Sequence, residues 1–394
     1  MTKKTFSLGH TWLILLLTFL GAFTPLSIDM YLPALPHMAE SLETSYSYVS
    51  LSISGFMLLF ALGMLFWGPF SDKYGRKPTL LIGSLLYITA SIAIALSPNI
   101  IWLLTFRAIQ AISSSALASM SLAIARDLLR GKALERVLSI MQMLMVIMPM
   151  VAPNIGGAIL LVTNWRGIFW CLAAFGLLGL AGSVHLNETC KQKSQTTLFK
   201  TIGRIVVVLE NKAFRQKLLL FSVLTMPFMA YLGVSSTIYQ DMFGLSPQAF
   251  SLFFAGNACM SMLAPFVHLK VFIDYPKEKV ITLHLTLMAL GATLLLLNQT
   301  LIGFALCYAL ITFAGSALRP PTTILMLETV KGDTGVVTSL INCAALLCAS
   351  LSMIIAVLPW WKNPIYAAGT ISLTISVTVL LIWLKLSRKA ASKE

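Results

Sequence analysis

Apolar runs of about twenty residues recur along the whole chain, separated by short charged or Pro/Gly-rich breaks. Twelve are read, near 8–30, 46–70, 78–97, 100–126, 135–161, 165–185, 216–240, 247–272, 279–298, 300–327, 334–358 and 363–386. A helix needs about 20 apolar residues to cross roughly 30 Å of hydrocarbon at 1.5 Å per residue. Backbone groups cannot stay unpaired in lipid, and the alternation of a barrel strand is absent, so the runs predict transmembrane helices. The longest polar stretch, 187–215, separates six runs from six. It divides the chain into 1–186, a linker 187–215, and 216–394 with a short tail. On the residues alone this is a division by length.

Composition agrees with lipid as the main solvent. Of 394 residues 58% are hydrophobic and 11% charged, with a mean hydropathy of +0.86. That is too little charge to clothe a soluble domain. Six scattered cysteines form no C-x-x-C pair, so neither a metal knuckle nor a redox motif is expected. H-E-x-x-H, G-x-S-x-G and G-x-x-x-x-G-K-[ST] are all missing, which argues against an enzyme, a metal, a cofactor or an ATP-driven pump.

The net charge of +14 would suggest nucleic acid only if the basic residues shared a face. They sort by loop instead. With the N-terminus in the cytoplasm, all lie in inside segments except four: Arg166 and Lys362 outside, Arg107 and Arg319 within spans. This positive-inside bias places both termini in the cytoplasm and the surplus charge against anionic lipid. The nucleic-acid reading falls. Lys3 and Lys4 before an apolar run resemble a signal-peptide start, but the run is long and lacks a small-residue cleavage site, so it reads as the first span.

Ionisable groups within spans are costly and normally face a wet cavity or a partner. Asp29 lies toward the outer end of the first span. A carboxylate flanked there by apolar residues suits a group that loads and releases protons; the alternative is an acid just past the helix end. Arg107 has Gln110 at i+3 on the same face of the fourth span. Its fixed charge needs water, an acid or an anion. Coupling to Asp29 is one reading and a structural pair the other. Arg319 precedes Pro320-Pro321, which are expected to break the tenth span at a binding site or to kink it for packing. Met141, Met143, Met145, Met148 and Met150 in the fifth span read chiefly as packing. Phe56, Tyr231, Tyr239, Asn257 and Asn342 are candidates to line a cavity, on the basis of which helices usually face inward.

The loop Gly68-Pro69-Phe70-Ser71-Asp72-Lys73-Tyr74-Gly75-Arg76-Lys77-Pro78 resembles motif A of the major facilitator superfamily. Arg107 with Gln110 and the Arg126-Asp127 end resembles its fourth-helix motif. Pro149-Met150-Val151-Ala152-Pro153-Asn154-Ile155-Gly156-Gly157 is similar to the fifth-helix antiporter motif, with Ala152 where Gly is usual. Asp29-Met30-Tyr31-Leu32-Pro33-Ala34-Leu35-Pro36, Trp165-Arg166-Gly167-Ile168-Phe169 and Gly244-Leu245-Ser246-Pro247-Gln248-Ala249-Phe250 are similar to the Bcr/CflA branch of drug–proton antiporters. The loop 270–279 is a degenerate counterpart of motif A.

The resemblance implies an all-α membrane protein of twelve transmembrane helices in two pseudo-symmetric six-helix bundles. It implies export of small amphipathic compounds against protons across the bacterial inner membrane, by alternating access. Asp29 would carry the proton, and Arg107 would favour that proton's release or bind substrate in alternation. The substrate contacts would be Asp29, Tyr31, Arg107, Gln110, Asn154, the cavity candidates and Arg319. Asp72 would face a helix end of the other half, and Arg76 would pair with Asp127. Gly68, Gly75, Lys77 and Arg126 complete the gate. Pro149, Pro153, Gly156 and Gly157 would shape the fifth helix. The expected partners are substrate, protons and the bilayer, and a monomer suffices. Dedicated export of one metabolite and passive facilitation are the alternatives.

Overall fold

A computed structural model describes residues 10–190, 207–272, 274–330 and 334–391. Lys3, Lys4, most of the linker's basic residues, Lys331 and the last residues of the tail lie outside these, as does the Met145 side chain. The described residues are helical, with no strand among them.

Ten helical stretches among them are long and apolar enough to cross a membrane. They are the first (Trp12–Ser41), second (Tyr46–Tyr74), third (Arg76–Ala95), fourth (Ile100–Leu128) and sixth spans (Trp165–Val184). The seventh (Lys212–Met242), eighth (Pro247–Phe272), ninth (Lys277–Leu297), tenth (Leu301–Leu327) and twelfth (Pro364–Ser387) follow. Two further helices, Gly131–Val162 and Thr334–Ala356, hold shorter apolar stretches and supply the fifth and eleventh. Side-chain caps start several of them. Asn99 accepts from Trp102 N (2.9 Å), Asn164 from Arg166 N (3.0 Å) and Thr300 from Gly303 N (3.1 Å), each satisfying an orphan donor at a helix start.

The chain forms two compact units, Met1–Leu198 and Phe199–Glu394. In the first, the fourth span packs on the second and third, the third on the sixth, and the first on the fourth and fifth. In the second, the tenth packs on the eighth and ninth, the ninth on the twelfth, and the seventh on the tenth and eleventh. The same pairings recur six spans later, as a duplicated architecture requires.

Two expectations are corrected. The first span does not end near residue 30. It runs on to Ser41 as the pieces His10–Gly21, Phe23–Asp29, a 3-10 turn Leu32–Ala34, and Leu35–Ser41. Pro33 and Pro36 lack N–H groups and sit at the first turns of new pieces, where that donor is not needed. The tenth span, in contrast, is one α-helix through Pro320 and Pro321. Two adjacent prolines remove only the donors to Ser316 and Ala317. The N–H groups of Thr322 and Thr323 resume the ladder one residue later, and the Thr322 hydroxyl adds bonds to Leu318 O at 2.7 Å and Arg319 O at 3.3 Å.

Candidate functional site

The first and seventh spans are both interrupted, the seventh at the 3-10 turn Val223–Thr225. The seventh's turn begins eleven residues past Lys212, matching the first span's break at Ala22, twelve past His10. The first span breaks again after Asp29, where the seventh continues as the helix Met226–Thr237. Such breaks free backbone to meet a ligand. Asp29 closes the piece Phe23–Asp29 and is 4% exposed. Its carboxylate has no hydrogen bond or ion pair among the described residues. The fifth span presses directly on this break. A Cβ on Gly156 would lie 1.7 Å from Met30 O and 2.9 Å from Met30 C, so only glycine fits where the two backbones meet. Pro149 and Pro153 lie inside the same continuous helix as Gly157, and Asn154 Nδ2 donates to Met150 O at 2.6 Å.

Arg107 is 1% exposed, and its charge is met without a carboxylate. Nη1 donates to Ser27 O (3.1 Å) and Gln110 Oε1 (2.6 Å), and Nη2 to the Tyr31 hydroxyl (3.0 Å). The guanidinium lies 4.5 Å from the ring centroids of both Tyr31 and Phe56, and 5.9 Å from that of Phe169. Desolvated cation–π contacts reach about 2 kcal/mol and charge-assisted hydrogen bonds about 1.5–3 kcal/mol each. Together they offset a desolvation cost of several kcal/mol. Arg107 and Asp29 therefore form no ion pair. Arg107 instead braces the residues two before and two after Asp29, fixing the segment that carries the acid.

Serines extend the brace. Tyr31, accepting from Arg107, is free to donate to Ser52 Oγ (2.8 Å). Gln110 Nε2 donates to Ser91 Oγ (2.7 Å). Ser27 Oγ gives its proton to Phe23 O (2.6 Å) and so accepts from Tyr87 OH (2.6 Å). Ser27, Ser52, Tyr87, Ser91 and Phe169 were not singled out from sequence. A serine in a span is too common to stand out, and Phe169 entered only as part of a branch motif.

In the second unit the tyrosine Tyr308 takes the corresponding role on the tenth span, donating to Pro227 O at 3.0 Å just past the break in the seventh. Tyr231 is fully buried against Tyr308, Phe254 and Phe304, with centroids at 4.6, 5.7 and 6.0 Å. Tyr239 packs on Phe253 and Phe304 at 5.1 and 5.2 Å. These tyrosines are core rather than open lining. Asn257 is 6% exposed, with neither amide atom hydrogen-bonded among the described residues. Asn342 and Arg319 are exposed.

A second cluster gathers around residues 71–77 in the first unit. Arg76 lies 2.6 Å from Asp72 Oδ1, and its Nε donates to Asp127 Oδ2 at 3.1 Å. Gly75 has φ +113°, and a Cβ there would stand 2.4 Å from Glu188 Oε2. Glu188 reaches across to cap the third span, accepting from Arg76 N (2.9 Å) and Lys77 N (3.2 Å) as well as from its neighbours Thr189 N and Cys190 N (2.9 Å each). Thr189 Oγ1 joins Asp127 at 3.1 Å, and Lys77 Nζ holds Val184 O at 2.8 Å. A Cβ at Gly68 would meet nothing within 4 Å. Arg126 is exposed, and its carbonyl accepts from Arg130. In the second unit Lys277, opening the ninth span, pairs with Glu328 after the tenth at 2.6 Å. This pair matches Arg76–Asp127 in position.

Partial burial raises the Glu188 carboxyl's pKa, but hydrogen bonds from the backbone of Cys190, Arg76, Lys77 and Thr189 outweigh it and hold the group below the usual carboxylate range. A lowered value in the folded state means that this contribution is present at neutral pH and lost as pH falls through the lowered range. Glu188→Gln is expected to reduce thermal stability at pH 7 by about 0.5–1 kcal/mol. In melting curves at successively lower pH, the gap between wild type and variant should close. A constant gap would assign the effect to packing.

A model of the Major Facilitator Superfamily matches residues 17–331, and the chain belongs to that superfamily. An uncharacterized MFS-type transporter, YdgK, of Bacillus subtilis (strain 168) is 35% identical over 298 residues, 74% of this chain and 73% of that protein. A bicyclomycin resistance protein homolog of Haemophilus influenzae is 28% identical over 299 residues, 74% of each chain. The multidrug resistance protein MdtL of Shewanella sp. (strain ANA-3) is 28% identical over 388 residues, 94% of this chain and 95% of that one. A crystal structure of a peptide transporter POT variant with sulfate has a TM-score of 0.76 at 16% identity, covering 95% of this chain and 94% of that one. It shows the shared fold.

Proposed function

We propose that this protein is a proton-coupled efflux carrier of the bacterial cytoplasmic membrane, exporting drugs and other small amphipathic compounds by alternating access. The observation that supports proton coupling is Asp29, buried and without a partner at the break of the first span. An unpaired ionised carboxylate is costly there, so a proton neutralises it whenever water and substrate leave. Arg107 holds the segment through Ser27 O and the Tyr31 hydroxyl without itself discharging the acid. Asp29 is thus left free to exchange its proton.

The drug class rests on the bicyclomycin-resistance and multidrug-resistance relatives. Loop charges place both termini, and hence the 71–77 cluster, in the cytoplasm. Arg76, held between Asp72 and Asp127 with Glu188 and Thr189 behind it, is suited to a latch that closes the inner side. Substrate, protons and bilayer are the partners, and a monomer is sufficient.

Bicyclomycin accumulation in inside-out vesicles tests the reading. An acidic lumen should drive uptake, and a protonophore should collapse it. Uptake indifferent to the protonophore would favour a facilitator. No drug uptake, with gradient-driven uptake of one metabolite, would favour a dedicated exporter.

A further inference from the structure

Three charged side chains lie deep within spans, Asp29, Arg107 and Arg319. Asp29 and Arg107 lie in the first unit and Arg319 in the second, where no acid lies deep within a span among the described residues. Arg107 is accommodated inside the first unit by three oxygen partners and two closely stacked rings. Arg319 is not. It has no hydrogen bond or ion pair for its side chain among the described residues, and it is exposed.

Arg319 lies eight residues before the end of the tenth span at Leu327, or about 12 Å along the helix axis. An arginine cannot shed its proton, so an exposed one at this depth faces water rather than acyl chains. It also lies within a polar stripe. Thr312, Ser316, Arg319 and Thr323 follow at steps of four, three and four, and therefore share one helix face. Thr312 Oγ1 is buried with no partner among the described residues, and Ser316 bonds Ser261 at 2.8 Å. The stripe offers the fixed donors of a guanidinium and no acid.

We propose that Arg319 is the charge filter of the substrate site: it selects compounds that present an oxygen acceptor, such as a carbonyl, and rejects permanent cations. The proposal rests on the carrier reading, since a site that closes around its cargo strips water from Arg319. The cargo must then supply acceptors in place of that water. A cationic cargo would instead add like charge where screening is weakest.

A matched probe pair tests this by fluorescence titration of the purified full-length protein without any pH gradient. One probe is dansylglycinamide, neutral and carrying amide acceptors. The other is the same fluorophore on a trimethylammonium-ethyl chain. Wild type should prefer the amide by about tenfold, the scale of one charge-assisted hydrogen bond. Arg319→Gln should narrow that ratio chiefly through tighter binding of the cation, a gain that loss of structure would not produce. Arg319→Lys, which keeps the charge, should continue to reject the cation. Equal binding by wild type, absence of binding, or a ratio unchanged in Arg319→Gln would overturn the proposal. Loss of gradient-driven bicyclomycin uptake with the probe preference intact would instead count against the carrier reading.

Discussion

Asp29→Asn should reduce pH-driven bicyclomycin uptake to the level of unenergised vesicles while substrate binding persists. Asparagine keeps the size of the side chain and the neutrality of the protonated acid, so the segment braced by Arg107 is preserved. What it removes is the exchangeable proton. If substrate binding expels that proton, linkage requires the wild-type affinity for substrate to rise with pH, and the variant's affinity to lose that dependence. Binding titrations across pH alongside vesicle uptake check both parts. Undiminished gradient-driven uptake by Asp29→Asn would remove the acid from the mechanism.

The second large effect is expected at Gly156. A methyl there would sit 1.7 Å from the Met30 carbonyl oxygen. The obstacle is backbone and has no flexible tip to turn aside, so one of the two spans must shift. Overpacking of this kind costs about 1–3 kcal/mol, and the displaced segment carries Asp29. Gly156→Ala should therefore lower the melting temperature and abolish transport. Gly68→Ala, with open space around the added carbon, should leave the melting temperature unchanged and serves as the matched control. Wild-type stability and uptake in Gly156→Ala would show that the backbones do not meet as described.

Much of this was legible because charge is scarce in the chain. Hydropathy outlined the spans, and the few ionisable residues inside them stood out as Asp29, Arg107 and Arg319. What sequence could not supply was who meets whom. Arg107 looked like the partner of Asp29 because opposite charges invite pairing. The structure gives it ring faces and a backbone carbonyl instead, acceptors with no charge signature in the sequence. Glu188 was read as part of a polar linker. Its grip on the start of the third span joins residues more than a hundred apart, and no local pattern announces it.

Pro320 and Pro321 were expected either to break the tenth span or to kink it, and the helix runs through them without a break. The first span was expected to end near residue 30, but it continues, with Pro33 and Pro36 where new helical pieces begin. Motif A likewise divides once seen in three dimensions. Gly75 is required by its positive φ and by the approach of Glu188, while nothing in its surroundings constrains Gly68.

The central claim is that Asp29 holds the proton that is exchanged for substrate. Proton release on addition of bicyclomycin to purified protein in weakly buffered solution, followed with a pH indicator, tests it most directly. The account predicts release by the wild type and none by Asp29→Asn at matched occupancy. Equal release by both would place the exchanged proton on another group and contradict it.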